Sequence, residues 1–397
     1  MASQISITST LPLNDRTSIP QFGFGTCASA TCTQSALCAL KQGYIHLDTA
    51  QIYKNEAETG QAIAQSKVAH DRIFVCSKLW EDMYTRQGAV DGVSQSLQKL
   101  GLKQIDLYLI HNPRPGPKAR HESWLGLQDC VEKGWVRSIG VSNWSPAHIE
   151  QLMKEDGVNI LPAVNQVEFH PWQQQRELTK YCKEKGIVVV AYSPLTQGKR
   201  LGDKVIAQMA EKYARTPAQV VLRWCLQKGV VIIPKSDKES RIVENKGIFD
   251  WELKDDDVEV IDRLDEGQKG NVGEWDPKMP NPTVAMHERK QDPSHQSSIT
   301  LERSANPTNN GLWRPNIQVL HIPGEADDDG LVNTEESARH VPGVLNMHMA
   351  DRLDHICGRP RLRGRHSDGP FMLGGIDQRD GDGWVSWLTS FDGLKRW

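Results

Sequence analysis

Leu47-Asp48-Thr49-Ala50-Gln51-Ile52-Tyr53-Lys54-Asn55-Glu56 follows a short apolar run, 44–48, that ends on an aspartate. The next run, 73–78, ends on a lysine, and the one after it, 105–111, on a histidine. Five more of the same length lie at 22–26, 137–142, 163–167, 187–192 and 230–235. Runs this short, bounded by polar residues, read as buried strands, and helical spacing fills the gaps between them. Val90, Val93, Leu97 and Leu100 form one apolar stripe, and Leu178, Tyr181 and Cys182 a shorter one. Ser145-Pro146 and Thr216-Pro217 place a capping hydroxyl before a proline at the first helical position. Gly134 marks the end of the helix that carries Trp124, Leu127 and Val131. Eight strand–helix units predict an α/β protein, either a (β/α)8 TIM barrel or a doubly wound sheet. The polar strand ends decide between them. Asp48, Lys78, His111, Ser142, Gln166, Tyr192 and Lys235 would meet at one mouth in a closed parallel barrel, whereas an open sheet would scatter several of them. The barrel is the expected fold. Residues 5–8 and 18–22, on either side of Pro12-Leu13-Asn14-Asp15-Arg16, read as an N-terminal β-hairpin.

Composition sets outer bounds. The 397 residues are 38% apolar and 24% charged, enough for a sizeable core. A net charge of −3 gives no global attraction to nucleic acid or anionic membrane. No apolar run approaches membrane-helix length, and the first twenty residues lack a signal-peptide pattern, so a cytoplasmic location is expected. Eight cysteines without a Cys-x-x-Cys pair read as reduced thiols. Composition shifts near Pro280: residues 1–280 hold 22 Lys and 12 Arg, residues 281–397 only 2 Lys and 11 Arg. All seven Tyr precede the shift and 7 of the 13 His follow it. We expect a barrel over 1–280 and a largely irregular tail over 281–397 that lacks its own core.

Asp48, Tyr53, Lys78 and His111 carry the expected chemistry. A lysine that ends a buried strand needs a partner, and Asp48 on the neighbouring strand supplies one. Tyr53, five residues further on, could reach the same ammonium, which would lower the phenol pKa and favour proton donation. His111 adds a second hydrogen-bonding group for a substrate oxygen. The set suits protonation of a carbonyl oxygen while hydride arrives at its carbon.

These residues resemble the aldo-keto reductase family, whose members carry an Asp, Tyr, Lys and His tetrad on a (β/α)8 barrel. The resemblance runs over residues 5–276 and includes Gly23-Phe24-Gly25-Thr26, Gly140-Val141-Ser142-Asn143-Trp144, Asn165-Gln166-Val167-Glu168, Ala191-Tyr192-Ser193-Pro194-Leu195 and Ile233-Pro234-Lys235-Ser236. It implies NADPH-dependent reduction of an aldehyde or ketone, with Tyr53 as general acid. It also implies that Ser142, Asn143 and Gln166 hold the nicotinamide carboxamide and that Tyr192 stacks on the ring, with Ser193 and Leu195 beside it. Lys235, Ser236 and Arg241, with Glu244 and Asn245, would take the 2′-phosphate and adenine; Thr26 and Asp48 also lie near the cofactor. Trp80, Cys27, Asn112 and His111 would line the substrate pocket. Cys27 and Asn112 depart from residues common in the family. The short stretch 112–122 and the short segment after Leu195 resemble microbial and fungal members. Beyond Trp275 the resemblance ends.

Some patterns compete with this reading. Tyr181 and Lys185 satisfy Tyr-x-x-x-Lys, but on an amphipathic helix and without a glycine-rich phosphate turn. Arg359, Arg361, Arg363 and Arg365 form a basic run among acidic flanks and read as solvated. His287 with His295, and His355 with Cys357, lack further ligands, so no metal is expected. A non-catalytic, NADPH-binding regulatory protein on the same barrel is the alternative to an enzyme; a small-molecule carbonyl is the expected partner, and a monomer the expected state.

Overall fold

The computed structural model describes residues 5–273, together with an antiparallel pair, Ile299–Thr300 against Gln318–Val319. The chain divides into two units, Met1–His287 and Glu288–Trp397. The rest of the expected tail, including its arginine run and its histidines, lies outside the described residues.

Eight parallel strands follow one another in chain order: β3 (Phe24–Gly25), β4 (His46–Asp48), β5 (Phe74–Leu79), β6 (Ile105–Ile110), β7 (Val136–Ser142), β8 (Val164–Glu168), β9 (Val188–Tyr192) and β10 (Val231–Ile232). Phe22 bridges Ile232 in parallel, and the Ile232 carbonyl accepts from Gly23 N at 2.8 Å, so the sheet closes on itself. All eight runs read from the sequence are therefore strands of one barrel. Single helices follow each strand as far as β8: α1 (Cys32–Lys41), α2 (Glu56–Ser66), α3 (Arg86–Leu100), α4 (Pro117–Glu132), α5 (Pro146–Leu152) and α6 (Arg176–Glu184). Two helices follow β9, α7 (Lys204–Tyr213) and α8 (Pro217–Gln227), and two follow β10, α9 (Glu239–Asn245) and α10 (Asp255–Asp262).

Local signals explain the helix ends. Ser145 and Thr216 each accept a bond from the backbone N–H three residues on and close capping boxes with His148 and Gln219. Gly134 takes φ 69° just past α4, a conformation that favours glycine. Val90, Val93 and Leu100 are buried on α3, as the stripe requires.

Strand alternation separates two cores. Inward residues Cys76, Leu107, Leu109, Val164, Val190 and Val231 form the barrel interior with Leu13 and Ile19. Outward residues such as Leu47, Val75, Tyr108 and Ile139 pack beneath the helices. Leu13 and Ile19 belong to a hairpin that plugs the floor, but its first strand is not the expected one. β1 is Thr10–Pro12 and pairs with β2, Ser18–Pro20. Residues 5–8 alternate like a strand, yet Ser9 N bonds the Ser6 carbonyl at 3.0 Å and the Ser9 hydroxyl accepts from Ser6 N at 2.9 Å. Local serine bonding makes a turn there instead.

Candidate active site

Register brings the ends of β4, β5 and β6 together, with Asp48 opposite Cys76 and Lys78 opposite Leu109. Alternation then points Lys78 inward, between the outward Ser77 and Leu79. Lys78 is 0% exposed; its ammonium donates to Asp48 Oδ1 at 2.5 Å and to the Thr49 carbonyl at 2.8 Å. The other Asp48 oxygen accepts from Gln166 Nε2 at 2.8 Å, across the barrel from β8. Tyr53, half-buried, ends a 3-10 turn (Gln51–Tyr53), and its ring centroid lies 5.1 Å from the Lys78 ammonium. His111 meets the same ring edge-on at 5.7 Å between centroids and meets the Trp80 ring at 5.1 Å.

Two amides hold this loop, one buried and one half-buried, and the sequence reading missed both. Asn55 accepts from the Thr49 hydroxyl at 2.9 Å and donates to the Thr26 carbonyl at 2.8 Å. Gln51 accepts from Trp80 N at 2.8 Å and donates to the Gly92 carbonyl at 3.1 Å. Both lie in the decapeptide 47–56, three and seven positions past the end of β4, where polar residues just beyond a strand end were a usable signal.

The electrostatics correct one expectation. The Tyr53 phenol is not made acidic. Desolvation, then the Asp48 carboxylate and the nearby Cys27 thiol, push its pKa well above the usual tyrosine value. Asp48 sits directly on Lys78, so the ammonium's field at the phenol is largely cancelled. Burial, with the charges of Lys78 and Arg114 behind it, drives the His111 pKa well below 6.5 and holds the ring neutral. The Cys27 thiol, at the exposed edge, shares a hydrogen bond with Tyr53 and is itself pushed up, mainly by desolvation.

The expected cofactor residues fall into two groups. In the first, Ser142 donates to the Gln166 carbonyl at 2.8 Å, and Asn143 Nδ2 donates to the Ser142 hydroxyl and the His111 carbonyl. Tyr192 donates to Asn143 Oδ1 at 2.9 Å, so one network joins Tyr192, Asn143, Ser142 and Gln166 to Asp48. Asn143 and Ser193 adopt left-handed backbone conformations, φ 64° and 48°, at the ends of β7 and β9. Leu195 is partly buried against the core, and Thr26 is buried with its hydroxyl on the Asp48 carbonyl. In the second group Lys235 binds Asp237 at 2.6 Å and the Ala28 carbonyl, while Ser236 bonds within its own turn to Lys238. Asp237 also accepts from the Ser29 hydroxyl, which ties this turn to the loop after β3. Arg241 is exposed on α9; Glu244 accepts from the Thr216 hydroxyl, and Asn245 is buried.

Asn112 is fully buried, its backbone clasped at both N–H and carbonyl by the Tyr84 hydroxyl. Tyr181 and Lys185 both turn to Glu150 on the outside of the helical layer, away from the mouth. Among the described residues no helix is long and apolar enough to cross a membrane, and no group of three or more His, Cys, Asp or Glu could hold a metal.

A closed parallel barrel with a buried ion pair, a phenol and an imidazole at its mouth defines a (β/α)8 protein with its titratable side chains gathered at the strand ends. The Aldo/keto reductase family model matches residues 32–266, more than half of the chain, and the chain belongs to that family. A glyoxal reductase of Bacillus subtilis is 43% identical over 267 residues, which is 66% of this chain and 95% of that protein. A methylglyoxal reductase of Escherichia coli is 38% identical over 263 residues, 65% of this chain and 94% of that protein. Among solved structures, a Bombyx mori aldo-keto reductase in complex with NADP is 33% identical with a TM-score of 0.64, covering 70% of this chain and 99% of its own.

Proposed function

We propose that this chain reduces small aldehydes or ketones to alcohols with NADPH, and that Tyr53 is the general acid. The observation that carries the reading is the Lys78–Asp48 pair, fully buried and 2.5 Å apart beside the Tyr53 ring at the barrel mouth. Buried ion pairs are weak evidence for stability, because a well-packed apolar pair often serves the fold as well or better. Placed beside a phenol and an imidazole, the pair is better explained by chemistry.

The donor set fits a nicotinamide dinucleotide. Hydroxyl and amide groups of Ser142, Asn143 and Gln166 stand beside the Tyr192 ring, matching a flat carboxamide-bearing ring. Lys235, Ser236 and Arg241 offer two cations and a hydroxyl, which favours a phosphate over a ribose hydroxyl and hence NADPH. When bound, the cofactor supplies hydride to the carbonyl carbon. Tyr53 gives its proton to the carbonyl oxygen, and its high pKa keeps that proton available through the neutral range. The phenolate left behind forms beside the Lys78–Asp48 pair, whose ammonium lies 5.1 Å from the centre of the Tyr53 ring. Neutral His111 orients the substrate oxygen, and Trp80 against its ring forms an apolar wall. The names of the glyoxal and methylglyoxal reductases support small α-oxoaldehydes as first substrates.

Loss of the NADPH absorbance band with glyoxal, methylglyoxal and larger aldehydes tests the reading. Tyr53→Phe should lower kcat about 10²–10⁴-fold, the usual contribution of a positioned acid. Full turnover in that variant would remove Tyr53 from the role; NADPH binding without turnover in the unaltered protein would favour the regulatory alternative.

A further inference from the structure

We propose that Glu168 is a positioning residue that fastens the segment 266–273 to the barrel mouth and so shapes the carbonyl pocket; the pocket half of this inference rests on the reductase reading. Glu168 ends β8 on the same face as Gln166, and its register partner is Tyr192, so it sits on the rim beside the proposed ring-stacking residue. It is 1% exposed, and the chemistry described above makes no use of it. Both oxygens of the carboxylate are engaged. Oε1 accepts from Val272 N at 2.6 Å and from His170 Nε2 at 2.8 Å, and Oε2 accepts from Gly273 N at 2.8 Å. Gly273 N also bonds Asn271 Oδ1 at 2.9 Å, which squares the turn against the carboxylate.

Other bonds hold the same segment to the loops after β8 and β9. Glu266 N donates to the Trp172 carbonyl at 3.0 Å, and Arg200 grips the Glu266 carboxylate with two bonds at 2.6 and 2.8 Å. The fit leaves no room for side chains at two points. A Cβ on Gly270 would stand 1.9 Å from the Trp172 carbonyl oxygen, and one on Gly273 would stand 2.6 Å from Glu168 Oε2. A buried carboxylate is costly, and an apolar residue would serve packing better. A carboxylate that collects two backbone N–H groups instead specifies where a segment lies. Here it sets the chain across the rim between β8 and β9, beside Tyr192, as one wall of the opening.

Glu168→Gln and Gly273→Ala test this together. The first loses one acceptor; the second keeps the Glu168–His170 pair and forces the segment outward, so it carries the test if the first fails to fold. Both should raise KM for a bulky aromatic aldehyde about tenfold and for glyoxal much less, with kcat for glyoxal within about twofold. Hydrogen exchange at the Val272 and Gly273 amides should accelerate at least about tenfold in Glu168→Gln, a readout that does not depend on activity. Unchanged exchange would overturn the clasp. Equal losses of kcat for all aldehydes at constant KM would overturn the pocket role. Absence of turnover in the unaltered protein would overturn the reductase reading and the pocket role with it, while the exchange result would still judge the clasp.

Discussion

At the floor of the barrel Leu13 and Ile19 seal the cylinder against Leu107, Leu109 and Val231, an apolar plug held by shape. At the mouth the ends of β4, β5 and β8 bury Asp48, Lys78, Gln166 and Glu168 just as deeply. Equal burial therefore has opposite meanings at the two ends. The floor gains from every apolar contact, whereas the mouth bears the desolvation cost of its charges and amides and offsets it only through exact pairing of partners. Stability should live in the plug and activity in the rim, and substitutions can separate them.

The widest separation is expected at Lys78. Lys78→Met strands the Asp48 carboxylate and should cost about 3–5 kcal/mol in denaturant unfolding, with turnover abolished. Adding Asp48→Leu should recover most of that stability and none of the turnover; recovered turnover would break the comparison. At the floor, Ile19→Ala should cost about 2–5 kcal/mol through the cavity it leaves, with kcat of the folded fraction unchanged.

Acidity gives a finer division. His46, near the floor against the Pro20 carbonyl, has its pKa lowered by burial to about 4. The unfolded chain takes up that proton below about 6.5, so stability is full above this value and is lost as pH falls toward 4. The Tyr53 phenol is raised, so the acid form persists through neutrality and reduction should decline only in strongly alkaline solution. Unfolding curves and rate profiles over pH should therefore bend at opposite ends of the scale. The smallest effect is expected at the outer edge of the mouth. Lys235→Met should reduce the preference for NADPH over NADH by about tenfold, read from the ratio of kcat/KM values, with little change in melting.

Much of this was legible in the sequence. Eight runs with polar ends gave the cylinder because inward alternation and register leave those ends nowhere else to go. The caps at Ser145 and Thr216 and the stop at Gly134 are local chemistry and were readable as such. The acidity of Tyr53 was misjudged because the cation was weighed without the desolvation of the phenol and the effect of Asp48 on it, which only tertiary packing fixes. The first hairpin strand was misplaced by an alternation that local serine bonding overrides. Glu168 stood in the quoted Asn165–Glu168 motif, yet its backbone partners Val272 and Gly273 lie more than a hundred residues away, and no spacing rule reaches that far.

The seam between Phe22 and Ile232 also has a consequence in time. The ribosome delivers the first strand early and its last neighbour some two hundred residues later. Until then the nascent sheet presents a raw border, with the backbone groups of 21–25 unanswered and free to pair with another unfinished copy. Any pause in translation between α1 and β10 prolongs that exposure, so rare codons there should lower soluble yield more than the same codons placed after α10.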